Sequence, residues 1–176
     1  MSHVSIPAGA SIGHIHLKVS DLPRGIWFYR DVLGFDLLYD LGSAAFLSAG
    51  GYHHHIGLNT WESAGGTPPA RGSTGMYHFA INYPTKRDLA VAYQRLGDNG
   101  WGIDGHSDHG THLAIYLHDP DHNGIELAWD RDQSEWPVFQ GMSMQDMRAI
   151  NGPLDFDALM AELDKPAESE PLGAGT

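Results

Sequence analysis

Cysteine is absent from the 176 residues, which excludes disulfides, thiolate metal centres and cysteine nucleophiles together. Cations are scarce as well: 10 Lys and Arg against 22 Asp and Glu leave a formal net charge of −12. Nucleic-acid surfaces and anionic-lipid surfaces both need clustered cations, so neither partner fits this balance. Long apolar runs are also missing. No stretch approaches the ~20 residues that span a bilayer. The opening MSHVSIPAGA lacks the basic-then-apolar order of a secretory signal. A cytoplasmic protein, with no nucleic-acid or membrane partner, is the expectation.

Histidine is what the chain has in excess, with 12 of them, and histidine is the side chain of metal ligation and of proton transfer near neutrality. Three are consecutive in GGYHHHIGLNTW, residues 50–61, inside a run otherwise patterned as a buried strand. Imidazole is a poor core filler, so the triplet needs a polar purpose.

The pattern along the chain repeats once. IGHIHLKV (12–19) alternates like a half-buried strand. Ser20 or Asp21 can cap a helix with Pro23 in its first turn; Leu22, Ile26, Tyr29 and Leu33 recur at helical spacing, and Gly34 stops it. FDLLYD, AAFLSAG and HHHIGLNTW then read as three strands separated by glycine-rich turns. After the loop composition of ESAGGTPPARGSTG (62–75), MYHFAI is a strand. The capping box Thr85–Asp88 opens a helix with Leu89, Ala92, Tyr93 and Leu96 on one face, and LAIYLHD and NGIELAWD form a hairpin around PDHNG. His14 and His78 hold matching places about 64 residues apart. The expected organisation is a first βαβββ module over 10–62, a linker over 63–75, a second module over 76–131 and an extension over 132–176. In that extension LDFDALMAELDK reads as a short helix and PAESEPLGAGT as a disordered tail.

A lone strand histidine is ordinarily a hydrogen-bonded interior residue, and a lone Glu between apolar neighbours is ordinarily a solvent face. Two histidines at matching places plus Glu126 of GIELAWD are less easily explained that way. Two imidazoles and one carboxylate make the facial set that suits non-haem Fe(II), with open positions for substrate and O2.

The elements IGHIHLKVSDLPRGIWFYRDVLGF, HHHIGLNTW, MYHFAI, SDHG and YLHDPDHNGIELAWDR resemble the vicinal oxygen chelate superfamily (the glyoxalase, bleomycin resistance and dioxygenase group). Within it they resemble the small catechol 2,3-dioxygenase-like extradiol branch. The resemblance covers about residues 10–136. It implies an α+β fold of two paired βαβββ modules, forming a curved mixed sheet around a metal site. The metal would be Fe(II), with Mn(II) an alternative of the same ligand preference. Carried over by position, the ligands are His14 (His16 in reserve), His78 and Glu126. His54 is the acid–base residue, Tyr116 bonds the substrate oxygen, and His109 (or His106) stands behind it. The implied partners are a small aromatic diol and O2, and the 132–165 segment is free to pack on a second copy in a homodimer. Glyoxalases of the superfamily take an extra carboxylate from the last strand of the first copy, and HHHIGLNTW offers none. Two departures stand out: His122 replaces Gly in the usual DPDGNGIE, and Thr111–His112 stand in DHGTHLA where DHGVSEA is usual. A glyoxalase-like lyase or isomerase, and a non-enzymatic binding or resistance protein, are the competing expectations on the same fold.

Overall fold

A computed structural model of the chain describes residues 4–165. The chain divides into two compact units between Arg71 and Gly72. The first contains β1 (Ile15–Lys18), α1 (Leu22–Trp27), β2 (Asp36–Asp40), β3 (Ala44–Ser48) and β4 (Ile56–Asn59). Its sheet order is β1-β4-β3-β2, with β1 parallel to β4 and the other pairs antiparallel. The second contains β5 (Phe79–Asn82), α2 (Lys86–Asp98), β6 (Gly105–Asp108), β7 (His112–His118) and β8 (Gly124–Asp130), in the order β5-β8-β7-β6 with the same polarity. Each unit is therefore a βαβββ module with a four-stranded mixed sheet, and the α+β class follows.

Local chemistry explains the boundaries. Asp21 accepts the Arg24 N–H at 2.8 Å and starts α1; Thr85 and Asp88 form a reciprocal capping box at the head of α2. The first helix does not run on as one α-helix. It passes into a π turn over Phe28–Val32, with Leu33 N–H bonded to Phe28 O, and that turn leaves Phe28, Tyr29 and Val32 all fully buried. In the second unit Leu89, Leu96, Ile115, Leu117, Ile125 and Leu127 are almost fully buried, each side chain contributing about 1.5–3 kcal/mol by leaving water.

The histidine triplet differs from expectation. It lies before β4, which begins at Ile56. The chain leaves β3 at Ser48 through the left-handed Gly50–Gly51 pair, so no β3 backbone remains opposite His53 and His54. Only His55 joins the ladder, donating to Leu47 O and accepting from Ile15 N–H. His14 and His78 likewise sit immediately before β1 and β5.

The extension also differs. Its described part packs on its own unit. After α3 (Met144–Ile150), Gly152 pairs with Asp108 on β6 as an antiparallel bridge. Leu154 N–H bonds His106 Nδ1 at 3.1 Å. Leu159 of α4 (Phe156–Met160) is buried, and Phe156 stacks on Tyr93 of α2 at 4.6 Å. The expected helix over 154–165 is α4 followed by a 3-10 turn; α3 was not anticipated. The tail PAESEPLGAGT lies outside the described residues. Among the described residues no helix is long and apolar enough to cross a membrane.

Candidate metal centre

The second unit builds its polar site on β8. Alternation would let Glu126 face either way, but five consecutive β8 residues from Gly124 to Ala128 are buried, and Glu126 is only 6% exposed. Its Oε2 lies 2.9 Å from His78 Nε2 and its Oε1 lies 3.0 Å from His112 Nε2. Tyr116, directly opposite Glu126 in the β7–β8 register, has its hydroxyl 3.5 Å from Oε1. The carboxylate is thus buried among imidazoles and a phenol.

His78 is held there by backbone packing. A Cβ on Gly124 would stand 2.1 Å from Tyr77 O and 3.1 Å from His78 Cβ. Glycine at 124 therefore permits the close approach of the segment that presents His78.

The hydrogen bonds fix the tautomers. Asn151 Nδ2 donates to Met147 O at 2.7 Å, which turns its Oδ1 towards His109 Nδ1. His109 Nδ1 must then carry the proton, leaving Nε2 to accept from the Tyr116 hydroxyl at 2.7 Å. The single phenolic proton is spent on His109, not on the more distant Glu126. Burial first, and then the Glu126 charge, push the Tyr116 phenol up to about 12, so it stays protonated at physiological pH. On the next ring, Thr111 Oγ1 lies 2.8 Å from His112 Nδ1. Because a carboxylate only accepts, His112 Nε2 carries the proton and the Thr111 hydroxyl donates to Nδ1.

The first unit gathers its own histidines. The His14 and His54 rings are 4.3 Å apart, His54 meets Phe46 at 5.0 Å, and His53 Nδ1 lies 2.8 Å from His54 Nδ1. Partial burial, followed by repulsion from His14, His53 and His16, lowers the His54 pKa, which favours the neutral, proton-accepting imidazole. His55 is accounted for locally: its Nδ1 accepts the Ala49 N–H at 3.2 Å and lies 3.1 Å from Ser48 Oγ. His16 packs its ring between Phe46 and Trp61.

The registers make the two units comparable. Ala80 pairs with Glu126, and His16 pairs with Gly57 at the same step. Gly57 therefore stands where the second unit has Glu126. The His16 ring fills the space above it, 2.9 Å from where a Cβ would lie. His14 occupies the step that His78 occupies.

Of the residues expected from sequence, His78, Glu126, Tyr116 and His109 come together in the second unit, and His14 and His54 in the first. His106 is engaged by Leu154 and Phe156 instead. His112 was noticed only as a departure from the usual motif, and Asn151 gave no signal at all. In β7, His112 and Tyr116 share a face at an even spacing, and the hairpin places Tyr116 opposite Glu126; that alternation was the available clue. His109, His112 and Glu126 also form a group whose ligand atoms all lie within 4.8 Å of one another.

The donor set fits a divalent cation. Burying a carboxylate costs several kcal/mol unless charge compensates it, and the described partners of Glu126 are two imidazoles and a phenol, not a Lys or Arg. Mixed nitrogen and oxygen donors suit Fe(II), Mn(II) or Zn(II).

Comparisons with known proteins bear on family and fold. The sequence model of the Glyoxalase/Bleomycin resistance protein/Dioxygenase superfamily matches residues 11–127. A catechol-2,3-dioxygenase of Bacillus subtilis is 41% identical over 75% of this chain and 46% of its own length. Biphenyl-2,3-diol 1,2-dioxygenase 3 of Rhodococcus globerulus is 33% identical over 68% of this chain and 63% of its own. The chain thus spans about half to under two thirds of these two relatives. The crystal structure of a glyoxalase/dioxygenase from Nostoc punctiforme superposes with a TM-score of 0.59 at 23% identity, covering 74% of this chain and 100% of that one, a likeness of fold.

Proposed function

The chain belongs to the glyoxalase/bleomycin resistance protein/dioxygenase superfamily, and from that premise we propose that it is an Fe(II)-dependent extradiol dioxygenase, cleaving a catechol-type aromatic diol with O2. The observation that carries the reading is the buried Glu126 carboxylate, with Oε2 2.9 Å from His78 Nε2. We assign His78, Glu126 and the register-matched His14 as the ligands, with Mn(II) able to replace iron on the same donors. Similarity to two diol dioxygenases supports the substrate class. Gly57 at the step of Glu126 supports a three-residue ligand set, with no second carboxylate to make it a glyoxalase.

When bound, the metal supplies Lewis acidity and a path for electrons from the diol ring to O2. The chain's own residues do the rest. His54, neutral and poised to accept, takes a proton from a diol hydroxyl and later returns one. Tyr116, kept protonated by its surroundings, holds its hydroxyl in place through His109, which Asn151 holds in turn. The net reaction breaks one ring C–C bond beside the diol and places both atoms of O2 in a ring-opened semialdehyde.

The test is O2 uptake by anaerobically Fe(II)-loaded protein given a small panel of catechols, with the yellow ring-opened product followed by absorbance. Stoichiometric uptake with yellow product is expected. His54→Gln should keep the metal and lose about 10²-fold or more in turnover. Bound iron with no uptake across the panel would overturn the dioxygenase reading and favour an O2-independent lyase or isomerase.

A further inference from the structure

We propose that His112 is a positioning residue for the metal: it clamps Oε1 of Glu126, so that the carboxylate offers the metal Oε2 alone. This rests on the assignment of Glu126 as a ligand. Three observations carry it. His112 Nε2 lies 3.0 Å from Oε1, while His78 Nε2 lies 2.9 Å from Oε2, so the two imidazoles take separate oxygens of one carboxylate. Because the carboxylate only accepts, the His112 proton lies on Nε2, and Thr111 Oγ1, at 2.8 Å, donates to Nδ1 behind it. The ring is also held in plane: it stacks on His109 at 4.6 Å with 28° between planes, and His109 is itself fixed by Asn151 and Tyr116.

The consequence is a fixed coordination mode. A free carboxylate can bind a metal through one oxygen or two, and the second mode consumes a position that a bidentate substrate needs. A proton on His112 Nε2 aimed at Oε1 makes that second mode costly, because the metal would have to displace a charge-assisted hydrogen bond. The Thr111–His112–Glu126 chain is therefore a device for keeping positions free.

The experiment compares wild type with His112→Ala, His112→Gln and Glu126→Ala, reading Co(II) affinity by calorimetry and the Co(II) ligand-field spectrum, with no substrate present. Outer hydrogen-bond partners of metal ligands are typically worth 10–100-fold in affinity or activity. His112→Ala should weaken Co(II) binding in that range and shift the spectrum towards higher coordination as Oε1 swings in. His112→Gln, whose amide N–H reaches the same oxygen, should restore both. In the metal-free protein, nitrogen-15 NMR of the imidazoles should show the His112 proton on Nε2, and a proton on Nδ1 alone would overturn the clamp. If Glu126→Ala binds Co(II) as well as wild type, the ligand assignment itself fails. If Glu126→Ala loses the metal but His112→Ala changes neither affinity nor spectrum, the clamp alone is overturned. Loss of a second equivalent of Co(II) in His112→Ala would also overturn it, since His112 would then be a ligand with His109.

Discussion

Glu126→Gln separates a functional carboxylate from a structural one by the sign of its effect with and without metal. Without metal, the wild-type carboxylate accepts one hydrogen bond from His112 at 3.0 Å and lies 2.9 Å from His78 Nε2, in a site 6% exposed. Such a charge-assisted bond contributes about 1.5–3 kcal/mol, the nearby His78 ring adds to it, and taking the charge out of water costs several kcal/mol. The two nearly cancel. Glutamine keeps the shape and one good acceptor and removes the charge, so the metal-free variant should lie within about 1 kcal/mol of wild type, a shift of no more than ~4 °C in Tm for a chain of this size. With metal the comparison reverses. A cation at 100 times its Kd stabilises the folded state by about 2.7 kcal/mol, or roughly 5–10 °C, and the variant should show almost none of that gain. The assay is a pair of thermal melts, after exhaustive chelation and after adding Mn(II) or anaerobic Fe(II). A metal-free variant destabilised by more than about 3 kcal/mol would mean that the carboxylate holds the fold together. A metal-induced gain equal to that of wild type would remove Glu126 from the ligand set.

Two further outcomes follow from packing and from burial. Gly124→Ala places a Cβ 2.1 Å from Tyr77 O, so the His78 segment must retreat; urea unfolding should show a loss of about 1–3 kcal/mol, and metal affinity should fall with it, whereas a loss below about 0.5 kcal/mol would show that the segment yields freely. Tyr83 is pushed up to about 12, by burial first and with Asp88 adding to it against Arg95. Below pH 10 neither state ionises; between pH 10 and 12 the unfolded phenol ionises and the folded one does not, so stability falls as pH rises through that window. Tyr83→Phe should make Tm decline less steeply from pH 10 to 12, and an unchanged slope would refute the assignment.

How much of this was legible in the sequence depends on the range of the interactions concerned. The repeated module was legible because its signals are local: capping residues at Asp21 and Thr85, helical spacing from Leu89 to Leu96, and a hairpin at PDHNG. Glu126 and His78 were legible because a motif carries each of them in a short window. The histidine triplet was misread as strand because alternation says nothing of where the partner strand ends; β3 stops at Ser48, and that stop is set by Gly50 and Gly51 rather than by the histidines. The docking of the extension was not legible for a related reason. Its anchoring runs through contacts some 42–48 residues apart, Asn151 to His109 and Leu154 to His106, which no local pattern encodes. One glycine records the docking: Gly110 has φ +75°, and a Cβ there would stand 2.3 Å from the Ile150 side chain of α3. The glycine of SDHG thus serves two ends, turning the chain from β6 into β7 and letting the extension close over it. In closing, the extension brings in Asn151, which sets the His109 tautomer and, through it, the direction of the Tyr116 proton. A segment with no motif of its own thereby orients a hydroxyl that the motif does specify.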